Sequence, residues 1–179
     1  MPTAFVTGAT GFIGGHIVRR LNRRGIQVRA LARPGSRRDG LENLPVQWVE
    51  GDLSNVAALR AGIEGCDMVF HAAADYRLWS RHPEAMYATN VDGTRNVLQA
   101  SLDAKVDRVV YTSTVGTIDL NGHHESGDES SFLKIDSITA CLIQWTGKRN
   151  FNGKLQPVED AGFAWGNILS DTCFCFSCS

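Results

Sequence analysis

Thr7-Gly8-Ala9-Thr10-Gly11-Phe12-Ile13-Gly14 decides how this chain is read. The stretch follows a short apolar run, Ala4-Phe5-Val6, and leads straight into an amphipathic segment. Glycines spaced G-x-x-G-x-x-G between a strand and a helix each have a physical task. Gly8 permits the tight turn off the strand, where a side chain would clash or force an unfavourable φ. Gly11 lets the backbone come close to a pyrophosphate, and Gly14 lets the helix pack closely against the sheet. The free amides at the helix N-terminus, at the positive end of the macrodipole, then face the anion. A glycine-rich turn with no ligand is the alternative, and its position directly after a first strand weighs against that.

Outward from the loop, strand and helix signals alternate. Residues 12–24 form a helix with an apolar stripe of Phe12, Ile13, Ile17, Val18 and Leu21, stopped by Gly25. Strands are expected at 4–6, 27–32, 47–50, 67–71 and 108–112. Between them fall a short helix over 55–63, with Ser54 as its N-cap, and a long helix over 83–104. The long helix has Tyr87, Val91, Thr94, Leu98 and Leu102 along one side. With right-handed crossovers this order predicts an α/β fold with a doubly wound parallel sheet. The rhythm fails after about Ser130, so the chain divides into a nucleotide-binding domain, 1–130, and an atypical tail, 131–179.

Bulk properties narrow the function classes. A length of 179 residues allows one domain with a real core, and 43% hydrophobic with 21% charged residues fits a globular protein. A net charge of −1 gives no reason to expect nucleic acid or an anionic membrane as partner. No apolar run approaches the ~20 residues of a membrane span. The N-terminal apolar run enters a glycine turn at once, a poor signal peptide, so a cytoplasmic location is expected. Cys66 and Cys141 are isolated, while Cys173, Cys175 and Cys178 crowd the end. With four ligands needed for structural zinc and no histidine after His124, no metal site is expected. His82, His123 and His124 read as surface residues.

The end of the second strand bears on which dinucleotide fits. An NAD-preferring site places a carboxylate there for the ribose 2′-hydroxyl. Here the strand runs into Arg33-Pro34-Gly35-Ser36-Arg37-Arg38, with no carboxylate before Asp39. Arg33, Ser36 and Arg37 suit a 2′-phosphate through charge-assisted hydrogen bonds. NADP is therefore expected, with NAD the alternative and a solvated basic loop the reading that needs no ligand.

With these residues in hand, the chain resembles the extended short-chain dehydrogenase/reductase family, which includes nucleotide-sugar epimerases and dehydratases, dihydroflavonol reductases and hopanoid-associated sugar epimerases. The likeness covers roughly residues 3–130 and implies a Rossmann fold with an incomplete C-terminal part. Beside the glycine loop, including Thr10, Phe12 and Ile13, four motifs carry it. Gly51-Asp52-Leu53 follows the third strand, and the resemblance points to Asp52 as the adenine contact. His71-Ala72-Ala73-Ala74 follows the fourth strand and looks like a small-residue wall beside the cofactor. Asn90, in Asn90-Val91-Asp92-Gly93-Thr94, corresponds to an asparagine with a structural and cofactor-orienting role. Tyr111-Thr112-Ser113-Thr114-Val115 ends the fifth strand, and the catalytic hydroxyl falls on Thr114 with Ser113 its neighbour. Taken singly, Asp52 also reads as a helix-start cap, Asn90 as a satisfied core amide, the alanines as close packing and Ser113 and Thr114 as strand filler. Family members commonly dimerise through their long helices, so a homodimer is an implied partner.

The implied chemistry is proton transfer by a tyrosine, assisted by a lysine four residues on, coupled to hydride transfer. This sequence has no such pair: Tyr76, Tyr87 and Tyr111 are its tyrosines, and none has Lys at the fourth position after it. The pattern departs from the family at about residues 127–131, and a reading-frame shift or alternative end is the simplest account. Three readings stay open: an epimerase, dehydratase or carbonyl reductase acting on a hydroxyl or ketone substrate, a non-catalytic nucleotide-binding module, and a truncated product.

Overall fold

The computed structural model describes residues 1–77, 83–112, 146–149 and 155–157. Strand β1 (Thr3–Thr7) is followed by helix α1 (Phe12–Arg23), strands β2 (Gln27–Ala32) and β3 (Val46–Glu50), helix α2 (Val56–Ile63) and strand β4 (Met68–His71). Helix α3 (Pro83–Tyr87) runs through a π-helical turn (Ala88–Asp92) into α4 (Gly93–Asp103), and strand β5 (Arg108–Tyr111) follows. These five strands are parallel in the order β3-β2-β1-β4-β5. The chain therefore reverses its direction of travel across the sheet between β1 and β4. At that switch point the carboxyl ends of the strands open a crevice, where ligands bind in open α/β sheets. Two strands absent from the sequence reading, β6 (Thr146–Arg149) and β7 (Leu155–Pro157), extend the β5 edge in antiparallel fashion. They satisfy backbone groups that an open edge leaves unpaired.

Alternation along the strands divides the core between the two sheet faces. Phe5, Leu31, Val69 and Val109 face α2 and α4, where Leu59, Ile63, Val97 and Ala100 meet them. Ala4, Val6, Val28, Ala30 and Phe70 face α1, which contributes Val18 and Leu21. Each such buried Val, Leu or Phe is worth ~1.5–3 kcal/mol relative to exposure. Where α2 crosses β1 the fit is tight: a Cβ at Gly62 would lie 2.4 Å from the Phe5 ring.

Local expectations needed correction at three helices. In α1, Phe12 and Ile13 do not join the inward stripe but are 68% and 47% exposed. The inward residues are Gly14, Gly15, Val18 and Leu21, because Gly14 seats the helix against the glycine turn. In α2 the N-cap is Asn55, whose side chain accepts the Ala58 amide, and not Ser54. The Ser54 hydroxyl donates instead to Asp52, at 2.6 Å. Through the π-helical turn and α4 the buried stripe is Asn90, Gly93, Val97, Ala100 and Ser101, one residue out of phase with Val91, Thr94, Leu98 and Leu102. Small residues let this face approach, since a Cβ at Gly93 would stand 2.7 Å from the Leu53 Cβ. The tail beyond 130, apart from β6 and β7, and the boundary near 130 lie outside the described residues.

Candidate dinucleotide site

The glycine turn is built by mutual exclusion of side chains. Gly8 has φ +71°, and a Cβ there would lie 2.6 Å from the Ala72 carbonyl carbon and 2.7 Å from the Ala73 nitrogen. Gly14 is tighter still, 2.1 Å from the Gly8 oxygen to a Cβ that it does not have. The Gly11 amide donates to the Gly8 carbonyl at 2.9 Å, closing the turn. Gly11 is also the N-cap of α1, so no side chain caps the helix, and no acidic residue sits in its first turn. The start of α1 thus combines amides without a side-chain cap, a positive dipole end and a first turn free of acidic residues. Thr10, Gly11, Phe12 and Ile13 form an exposed rim around it, with the Phe12 ring edge-on to His16.

The expected adenine-side residues gather at the neighbouring strand ends. Arg33 begins a turn through Pro34 and Gly35 that closes with the Ser36 amide on the Arg33 carbonyl, at 3.0 Å. Gly35 has φ +72°, as the third position of a type II turn requires. The exposed Arg33 side chain is close enough for its charge to act on both Asp52 and Asp75. Arg37 pairs with Asp39 at 2.9 Å, and Arg38 lies over the Trp48 ring at 4.5 Å. The basic loop therefore brings the Arg33 charge to the strand ends, with the Arg37 and Arg38 guanidinium groups already engaged.

Asp52 does local work. Its Oδ1 accepts from the Ser54 hydroxyl, the Ser54 amide and the Asn55 amide. The Ser54 hydroxyl, before its amide, holds the carboxyl below the usual aspartate range. Leu53 is buried beneath Gly93, and its carbonyl accepts from Asn96 at 3.0 Å.

Across the switch point, Asn90 grips the chain leaving β4. Its Oδ1 accepts the Asp75 amide at 2.7 Å, and its Nδ2 donates to the Asp75 carbonyl at 2.8 Å. Two bonds from one buried amide fix the direction in which Ala72, Ala73 and Ala74 run past Gly8. The wider π-helical turn carries Asn90 to this position, a common use of such turns near functional sites.

Sequence reasoning gave His71 no role beyond its motif, yet it is bonded at both ring nitrogens inside the core. Fully buried, it bonds Thr7 Oγ1 through Nδ1 at 2.6 Å and Thr94 Oγ1 through Nε2 at 3.0 Å. Its ring stacks on Tyr111 at 5.2 Å between centroids. Burial lowers its pKa to about 4, so the imidazole is neutral at pH 7. A histidine between a strand-end threonine and a helical threonine twenty-three residues later carries no short-range signal. Ser113 and Thr114 lie outside the described residues, as do His82, His123, His124 and the cysteines other than Cys66.

A glycine turn at a switch point, an uncapped helix and a clamped small-residue wall define a dinucleotide-binding α/β protein. The chain belongs to the NAD dependent epimerase/dehydratase family, whose model matches residues 4–138. It is 50% identical over 140 residues to a Synechocystis sp. protein named "Putative dihydroflavonol 4-reductase", covering 78% of this chain and 40% of that one. The crystal structure of gox2253 is similar, with TM-score 0.69 and 37% identity over 79% of this chain and 44% of that chain. So is a short-chain dehydrogenase/reductase superfamily protein from Agrobacterium tumefaciens with bound NAD, with TM-score 0.63 and 28% identity. That match covers 77% of this chain and 40% of that one. The chain thus spans about two fifths of the length of these relatives. Among the described residues, no helix is long and apolar enough to cross a membrane.

Proposed function

We propose that this chain binds NADPH, as the cofactor-holding part of an epimerase, dehydratase or carbonyl reductase acting on a hydroxyl or ketone substrate. The observation that carries this reading is the uncapped start of α1 behind Gly8 and Gly14, where added Cβ atoms would fall within 3 Å of backbone. Such a cradle fits a pyrophosphate. The amides from Gly11 onward hold the phosphates, and Phe12 and Ile13 shield them from water. Arg33 and Ser36 hold the 2′-phosphate, while Asp52 faces the adenine. The Ala72–Ala74 backbone, aimed by Asn90, lines the nicotinamide side. When bound, the nicotinamide supplies or takes up a hydride. Thr114, with Ser113, orients the substrate oxygen. Localisation in the cytoplasm and self-association through α3 and α4 complete the reading.

The absence of a Tyr-x-x-x-Lys pair favours a second reading, binding without turnover. Fluorescence titration with NADPH and NADH tests the first step. NADPH is expected to saturate the protein at lower concentration than NADH, and Gly14→Ala to lose binding at least tenfold. Arg33→Gln should weaken NADPH by roughly tenfold, one charge-assisted contact, and leave NADH nearly unchanged. Tighter NADH than NADPH would overturn the assignment of Arg33. Turnover of NADPH with a panel of ketones and nucleotide sugars separates the enzyme from the binding module.

A further inference from the structure

We propose that His71 is the positioning residue of the dinucleotide site, bolting β1, β4 and α4 together so that the Ala72–Ala73 backbone stays pressed against Gly8. The proposal rests on the nucleotide-binding reading above and deepens it. The geometry begins with strand register: Thr7 lies opposite His71, and His71 opposite Tyr111. One row therefore crosses β1, β4 and β5 at their carboxyl ends, directly under the crevice. Thr94 closes the row from α4.

The hydrogen bonds form one connected chain. Thr7 Oγ1 accepts the Ala73 amide at 3.4 Å and pairs with His71 Nδ1 at 2.6 Å. Nε2 pairs with Thr94 Oγ1 at 3.0 Å, and in either tautomer of the neutral ring one nitrogen donates and the other accepts. The hydroxyl that holds the imidazole thus also holds the Ala73 amide of the wall beside Gly8. A leucine or phenylalanine could fill this buried space without desolvating ring nitrogens. A fully satisfied polar chain instead fixes one relative placement of strand and helix. That placement matters here because the gap between Gly8 and Ala72 leaves no room for an added Cβ. If Thr94 loses its hydroxyl, Nε2 is left without that partner in the core and the ring must reorient. Thr7 and the Ala73 amide are then freed.

The test is NADPH titration of the full chain, Thr94→Val and Thr94→Ser, with hydrogen exchange followed over residues 72–77. Thr94→Val should bind NADPH about tenfold more weakly and exchange faster over 72–77, while still unfolding cooperatively. Thr94→Ser should restore both. His71→Gln, which reaches only one of the two threonines, gives a second measure if Thr94→Val does not fold, and should show the same tenfold loss. Lowered melting temperature with unchanged NADPH affinity and exchange means ordinary core support and overturns the proposal. Wild-type protein that binds neither NADPH nor NADH overturns the nucleotide reading along with it, whereas binding that the variants leave unaltered overturns this proposal alone.

Discussion

Gly14 lacks a side chain because the Gly8 carbonyl occupies the place where one would stand. Gly14→Ala must push α1 away from the turn, and overpacking of this kind costs ~1–3 kcal/mol, measurable by urea denaturation. His71 makes the opposite demand, for a polar group inside the core. The groups facing it are Thr7, Thr94 and Tyr111, none charged at neutral pH. The unfolded chain takes up this proton near pH 6.5, and the folded chain resists until about pH 4. Between those values the unfolded state binds more protons, so stability is complete above pH 6.5 and falls as pH drops towards 4. The loss should reach about 3 kcal/mol, read from urea midpoints at pH 7 and pH 4, and His71→Phe should remove this part of the slope. The placement of Gly8, Gly11, Gly14, Asp52 and Asn90 around the strand ends was legible in the sequence, because each belongs to a short motif of fixed order. His71 stood in one of those motifs, but its partners come from β1 and α4. Only contact in space reveals them.

Element ends show where local chemistry competes with packing. α1 ends on Gly25 at φ +70°, as the sequence suggested. α4 makes the same kind of turn at Lys105, φ +58°, with the Val106 amide on the Ser101 carbonyl at 3.0 Å. A lysine in the left-handed region pays a steric cost that glycine avoids. Lys105→Gly should stabilise the protein by roughly 0.5–1 kcal/mol, seen as a higher midpoint in thermal or urea unfolding. The phase of α4 was not legible. Leu98 and Leu102 are the larger apolar residues, yet Gly93 and Ala100 lie on the buried face, where Leu53 stands too close to Gly93 for a side chain. Ser54 was an ordinary candidate for the α2 cap, but the Asp52 carboxylate draws its hydroxyl away and Asn55 takes the position.

At the scale of the whole molecule, a ligand that binds only the folded state shifts the unfolding equilibrium by mass action. NADPH at a hundred times its Kd should stabilise the chain by about 2.7 kcal/mol. The same concentration of NADH should do less, and Gly14→Ala should show little shift with either. A thermal-shift series in the two nucleotides checks this, and equal shifts in wild type and Gly14→Ala would remove the glycine turn from the site. The alternation of apolar runs and amphipathic stretches was enough to give five parallel strands with helices between them, because those periods are local properties. The glycine loop pointed to a dinucleotide for the same reason: a turn, a helix start and their spacing are contiguous in the chain. What only the tertiary structure decided is how the distant pieces close around that loop. Ala72 meets Gly8, Asn90 grips Asp75, and Thr7, His71 and Thr94 share one buried chain of hydrogen bonds. These partners are fifteen to sixty-four residues apart, and the strand reversal between β1 and β4 is what brings them together.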